Sequence, residues 1–445
     1  MSLRRDQPTN YLKIVEIFLA PCLILLMMYL FTSCRSGELC SRLIHFTQQM
    51  LKPPPNEALD TTRSPTQVLE KKELQPLFEK QNLVNLQSKY LDLVVKDHPI
   101  RVETSLDIPL QSFVLQKLNR SFARYVGIVV MDPQTGRILT MVGHDRLDAA
   151  NNPCLDNSFP AASIFKIVTA AAAIEQLNLD QDSRLSFNGR KHTLYRYQLK
   201  DRKNRWTTQI SLRDSFAQSV NPVFGKIGSL YLKKSGLEKY AQAFGFNCEI
   251  DFEISLPPSN VTVGDKDYNW AEIASGFNRE TRITPLHGGL LVSTILHQGR
   301  LIAPTIIDQI TDEQGEILYR NRLATIKQVI SEKTSTILAD LMTETVDSGT
   351  SRKTFRGYQK DPVLSKLRIG GKTGSISNHA HDARFDWFVG YAEEKNGSEQ
   401  IVVSIVVAHE KYIGTRAATY ARMIMKHYFQ HHFASNQTAS DPSQG

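Results

Sequence analysis

A chain of 445 residues, 41% hydrophobic and 22% charged, has room for two average domains, or for one large domain with an anchor and a linker. That balance excludes a chain disordered throughout, a collagen-like repeat and a disulfide-dense mini-scaffold. The net charge of +8 suits an anionic partner such as nucleic acid, a phospholipid surface or a cell-wall polymer. With no zinc-finger spacing, no aromatic-basic RNA signature and no phosphate-cradling glycine loop, nucleic acid is set aside.

Residues 1–10 carry Arg4 and Arg5 and read as a cytoplasmic tail. The apolar stretch 11–33, interrupted by Lys13, Glu16 and Pro21, is long enough for one membrane-spanning helix. Basic residues ahead of it place the N-terminus inside and the body of the protein outside. Two alternatives are a cleaved signal peptide and a lipoprotein signal, because Phe31-Thr32-Ser33-Cys34 loosely matches a lipobox. All three export the body of the chain.

Residues 34–100 read as a stalk, with linker chemistry at Pro53-Pro54-Pro55 and in the Thr/Ser/Pro-rich stretch 61–65. An amphipathic helix split by Pro76 is expected between 74 and 95. The folded domain is expected over 101–433. Its first hairpin joins the β-branched run 125–132 to 138–142 through Pro133-Gln134-Thr135-Gly136. Helices are expected over 163–177, 211–228, 288–296 and 415–433, strands over 367–375, 387–392 and 401–408, and a frayed polar tail over 434–445. Early and late strands must then meet in one antiparallel sheet with helices between them in sequence, an α+β fold.

Of the five cysteines, Cys154 and Cys248 lie in the body, where they either pair in an oxidising compartment or stay as buried thiols.

Three short motifs occur in order: Ser163-Ile164-Phe165-Lys166, Ser219-Val220-Asn221 and Lys372-Thr373-Gly374. Ser163 and Lys166, three apart at a helix start, share one face. A serine hydroxyl is a weak nucleophile unless a neutral amine takes its proton, and burial or a second cation such as Lys372 would keep Lys166 neutral. The start of that helix also aims a backbone N–H at an oxyanion. Ser219 and Asn221, two apart, suit a turn that points both side chains into one cleft. There Ser219 can relay a proton and Asn221 can hold an amide. Gly370 and Gly371 precede Lys372 on a strand where a peptide could add to the sheet edge, with Lys372 and Thr373 binding its carboxylate. Singly each motif is weak; together and in this order they mark one site.

This set resembles the penicillin-binding protein transpeptidases, monofunctional and class B-like, within the serine acyl-transferases that include β-lactamases. The resemblance covers roughly 101–433. Beyond the three motifs it rests on Thr104-Ser105-Leu106-Asp107 with Leu110-Gln111, on Val130-Met131-Asp132-Pro133, on Thr284-Pro285-Leu286-His287 and on Trp387-Phe388-Val389-Gly390-Tyr391. It implies a five-stranded antiparallel sheet flanked by helices, with an all-helical subdomain. It implies that Ser163 attacks the penultimate D-alanine carbonyl of a D-Ala-D-Ala peptidoglycan stem, with Lys166 as base and Ser219 passing the proton to the leaving amine. Asn221, Lys372, Thr373, Gly374 and Ser375 would bind substrate, and the N–H groups of Ser163 and Ser375 would hold the oxyanion. It further implies covalent inhibition by β-lactams, no metal or organic cofactor, a single-pass protein of the bacterial cytoplasmic membrane with its catalytic domain outside, and a separate glycosyltransferase as a conceivable partner.

The rivals are a D,D-carboxypeptidase, a β-lactamase and a β-lactam sensor. No Glu-x-x-Asn follows the second motif, which disfavours a class A lactamase, and few residues precede the span to carry a sensor's output. The roughly 100 residues before the domain are too few for a glycosyltransferase module. Asn378-His379-Ala380-His381-Asp382 has metal-ligand spacing but reads as a loop. The eight Lys, Arg or His residues between 190 and 205 form either a solvated loop or a contact for anionic glycan or lipid headgroups.

Overall fold

The computed structural model describes residues 69–95 and 97–440. The expected span, the lipobox at Cys34 and the proline-rich part of the stalk lie outside them. Helix α1 (Lys71–Phe78) leads into the hairpin β1 (Tyr90–Val95) and β2 (His98–Thr104), then α2 (Ile108–Lys117) and the hairpin β3 (Ala123–Met131) and β4 (Ile138–Asp145). A 3-10 turn over Ala162–Phe165 opens α3 (Lys166–Leu177). The small hairpin β5 (Arg184–Phe187) and β6 (Thr208–Ser211) brackets a long loop. After it come α4 (Leu212–Ala217), α5 (Asn221–Lys226), α6 (Lys233–Ala243), α7 (Asp267–Ser275) and α8 (Pro285–Leu296). Strands β7 (Arg300–Ile302), β8 (Ile307–Asp312), β9 (Ile317–Arg320) and β10 (Thr325–Gln328) precede α9 (Glu332–Asp347). Strands β11 (Leu367–Ser377), β12 (Arg384–Glu394) and β13 (Gln400–His409) and helix α10 (Ala417–Ser440) complete the described chain.

The central sheet has the order β11-β12-β13-β3-β4, antiparallel throughout, so the early hairpin and the late strands do meet. Its middle strands are buried on both faces, and strand periodicity sorts their side chains between two cores. Along β13, Val402, Val406 and Ala408 face the core that holds α3, α8 and α9, while Ile401, Val403, Ile405 and Val407 face the core built with α10. Strand β11 is an edge, open on the side of α3 and α4, and the site sits there.

Three expectations change, and one open alternative is decided. Residues 69–100 are not stalk: Leu74 and Phe78 are fully buried, and β1-β2-β8-β9 form a second sheet in which Val102 faces Ile310. The boundary drawn at 101 falls inside β2. Buried Lys71 reaches the carbonyl of Pro304 (2.6 Å) and the carboxylate of Glu253 (3.3 Å), fastening α1 to the body. The helix expected over 211–228 breaks at Ser219, whose φ of 54° is left-handed. The last helix runs through the expected tail to Ser440. Finally, Cys154 and Cys248 are free thiols: Cys154 is buried against the carbonyls of Ile128 and Val142, and Cys248 is partly exposed.

Candidate active site

In a 3-10 turn residues i and i+3 eclipse, which stacks Lys166 on Ser163. Lys166 Nζ stands 2.8 Å from Ser163 Oγ. The turn is fixed from three directions. Ala161 N–H donates to the Thr281 carbonyl (2.8 Å), Trp387 Nε1 on β12 donates to the Pro160 carbonyl (2.9 Å), and Gly276 lies against the Ala162 carbonyl. Gly276 has φ +64°, and a Cβ there would come within 1.8 Å of that oxygen, so only glycine fits. Behind the turn, Ala170 to Ala173 are all fully buried and hold α3 in the core.

Lys166 is wholly buried with no carboxylate among its partners. Its Nζ also donates to Asn221 Oδ1 (2.8 Å) and, at short range, to the Ser275 carbonyl. Asn221 Nδ2 donates to the His192 carbonyl (3.1 Å), which settles which end of the amide faces Lys166. Asn221 Oδ1 and the Ser275 carbonyl can only accept, so they use two N–H groups. The Ser163 hydroxyl is the one partner that can donate. A neutral Lys166 therefore has its lone pair free for the Ser163 proton. Burial, and then the charge of Lys372, hold Lys166 well below the ordinary lysine range.

Ser219 and Asn221 flank the break between α4 and α5. The left-handed Ser219 ends one helix, and Asn221-Pro222 starts the next with proline in its first turn. The segment leans on the preceding loop, because Asn221 N–H donates to the Lys191 carbonyl (2.7 Å). Both side chains are nearly buried and face the two lysines.

Lys372 enters from edge strand β11. Its Nζ donates to Ser219 Oγ (3.1 Å) and to the Thr373 carbonyl (2.9 Å), and lies over the Phe216 ring, as Lys166 lies over Phe224. Burial draws Lys372 down to about 7. Gly374 passes the nucleophile turn closely: a Cβ there would be 3.2 Å from Ile164 Cγ1 and 3.4 Å from the Ala161 carbonyl. Thr373 Oγ1 shares a 2.6 Å hydrogen bond with Thr350 Oγ1, and exposed Ser375 accepts from Arg384 Nε (2.8 Å). Gly370 and Gly371 act differently from the expectation. The space they leave is filled by Tyr391 and Phe388, within 2.5 and 2.3 Å of their missing Cβ atoms, so they serve packing rather than peptide approach.

Lys166 thus touches Ser163 and Asn221, Lys372 touches Ser219, and Thr373, Gly374 and Ser375 line the adjacent edge. Sequence reasoning missed Ser275, Gly276, Phe216, Phe224 and the carbonyls of Lys191 and His192. The 378–382 loop holds itself and its neighbours: Asn378 donates to Asp382, Arg124 pairs with Asp382 (3.2 Å), and His379 faces Glu280 (3.4 Å).

Residues 126–426 match the family described as the penicillin binding protein transpeptidase domain. The chain belongs to that family. Among similar curated proteins, stage V sporulation protein D of Bacillus subtilis is 26% identical, over 73% of this chain and 53% of its own length. The peptidoglycan D,D-transpeptidase FtsI homolog of Mesostigma viride is 24% identical, over 65% and 53%. This chain spans about half the length of such relatives. Among solved structures, the D,D-transpeptidase domain of a peptidoglycan glycosyltransferase from Eggerthella lenta aligns with TM-score 0.61 and 22% identity, covering 74% of this chain and 83% of that one. Penicillin-binding protein A from M. tuberculosis, as its imipenem acyl-enzyme complex, aligns with TM-score 0.59 and 18% identity, over 73% and 78%. The fold is therefore that of the penicillin-binding protein transpeptidase domains.

Proposed function

We propose that this chain is a peptidoglycan D,D-transpeptidase working through an acyl-enzyme on Ser163. The observation that carries the reading is the partner set of Lys166: two pure acceptors and one hydroxyl that can give up its proton. Ser163 Oγ attacks the penultimate D-alanine carbonyl of a stem peptide while Lys166 takes the hydroxyl proton. The N–H groups of Ser163 and Ser375 receive the oxyanion. The C–N bond breaks, an ester forms on Ser163, and the departing D-alanine amine takes a proton through Ser219. Lys372, cationic below about pH 7, and Thr373 bind the terminal carboxylate, and Asn221 holds the substrate amide.

An amine of a second stem then attacks the ester, forming a new amide and returning the Ser163 proton. Water in its place would give trimming, the carboxypeptidase outcome. A β-lactam enters the same first step, and its opened ring stays attached. The basic residues ahead of 11–33 support an anchor in the cytoplasmic membrane with the domain outside.

The test supplies purified full-length protein with a D-Ala-D-Ala pentapeptide stem and an amine acceptor, followed by mass spectrometry. Cross-linked dimer with equimolar D-alanine is the expected product. D-alanine release with only the shortened tetrapeptide would shift the assignment to a carboxypeptidase.

A further inference from the structure

The loop between β5 and β6 has an inner and an outer face with different uses. Inside, fully buried Gln198 donates to the Asn188 carbonyl (2.8 Å) and accepts from Tyr195 N–H (2.9 Å). Asn188 Nδ2 reaches the Arg202 carbonyl (2.9 Å), closing the loop on itself. The carbonyls it fixes at Lys191 and His192 hold Asn221, which touches Lys166. The loop is therefore a wall of the cleft.

Its outer face is costly to leave in water. Tyr195, Tyr197 and Trp206 are 55%, 56% and 72% exposed, three large aromatic rings within twelve residues. Tyr195 and Tyr197 stack on each other, 12° from parallel, and the Arg205 guanidinium lies over Trp206. The one acid between 188 and 207, Asp201, is engaged by Lys226 (3.3 Å). Among the described residues, Lys200, Arg202 and Lys203 have no carboxylate within 4 Å. Flat rings with polar tips match the C–H faces and hydroxyls of pyranose rings, and the free cations match carboxylates.

We propose that the outer face of loop 188–207 docks a peptidoglycan strand, its sugars on Tyr195, Tyr197 and Trp206 and its stem carboxylates on the neighbouring cations. This rests on the acyl-enzyme reading, since a strand held there lies beside the cleft its stems must enter. A lipid surface would use the same charges, but nothing ties it to a loop built around Asn221.

The test sediments full-length protein in detergent with purified insoluble peptidoglycan. It compares wild type, a triple variant Tyr195→Ser, Tyr197→Ser, Trp206→Ser, and a charge variant Arg202→Glu, Lys203→Glu, Arg205→Glu. Acylation by a fluorescent β-lactam, too small to reach the loop's outer face, reports that fold and cleft are intact. We expect both variants to keep wild-type acylation and to lose affinity for peptidoglycan by at least about tenfold. Raised salt should weaken the wild type more than the charge variant. Acylated variants that sediment like wild type would overturn the proposal, as would a wild type that does not sediment. So would variants that lose binding only to phosphatidylglycerol vesicles. A wild type that sediments but is never acylated would overturn the acyl-enzyme reading and leave the docking surface standing.

Discussion

Wholly buried Lys166, with no carboxylate among its partners, holds its Nζ 2.8 Å from the Oγ of partly exposed Ser163, so the base and the nucleophile are preassembled before any substrate arrives. The enzyme need only keep Lys166 neutral, and burial does so first, with the charge of Lys372 second.

Replacing Lys166 with arginine keeps a long side chain there but puts a permanently charged group in place of one that can lose its proton. Acylation by a β-lactam should fall by roughly 10²–10⁴, the usual contribution of a positioned general base. Stopped-flow acylation rates check this, and a loss under tenfold would move the base elsewhere.

The pH profile should be bell-shaped. Acylation rises with pH as Lys166 sheds its proton and falls as Lys372 loses its charge through about 7. The two lysines interact, so the limbs belong to the pair. Lys372→Met should remove the alkaline limb and shift the acid limb upward, because the cation that depresses Lys166 is gone. The second-order acylation constant measured against pH is the check.

The same variant should be more stable than wild type. Lys372 binds its proton less readily folded, at about 7, than unfolded, at 10.5, so its burial costs most below pH 7 and the cost fades toward pH 10.5. Urea unfolding of Lys372→Met against wild type should show a gain at pH 6 that shrinks at pH 10. A loss at pH 6 would contradict the account.

Gly276→Ala places a methyl group on the Ala162 carbonyl at a left-handed φ. The expected cost is on the order of 1–3 kcal/mol, with slower acylation because the turn bearing Ser163 must shift. Chemical denaturation and acylation kinetics on one sample test both.

Lys71→Met leaves the carboxylate of Glu253 buried without its cation, although Thr305 and Tyr319 still donate to it. About 3–5 kcal/mol of destabilisation is expected, with α1 cut early in limited proteolysis.

The chemistry was legible because it is written in short spacings: Ser163 to Lys166, Ser219 to Asn221, and Lys372 to Ser375 each lie within one turn or strand. Partners brought from afar were not. The Ser275 carbonyl reaches Lys166 across 109 positions, and Gly276 meets Ala162 only once both segments are folded. That early and late strands share one sheet followed from apolar runs, whereas the run of β1 is interrupted by Asp92 and half-exposed along its length, and reads instead as part of the amphipathic helix expected between 74 and 95. Gly370 and Gly371 misled because a glycine records only that something approaches, not whether a substrate or a ring from the next strand does.

The central claim is that Ser163 becomes acylated with Lys166 as its base. Full-length protein incubated with fluorescent penicillin, digested and mapped by mass spectrometry tests it most directly. The account predicts one labelled peptide carrying the adduct on Ser163, no label in Ser163→Ala, and a label that persists for minutes or longer. Labelling that survives Ser163→Ala would contradict it, and label lost within seconds would mark a β-lactamase instead.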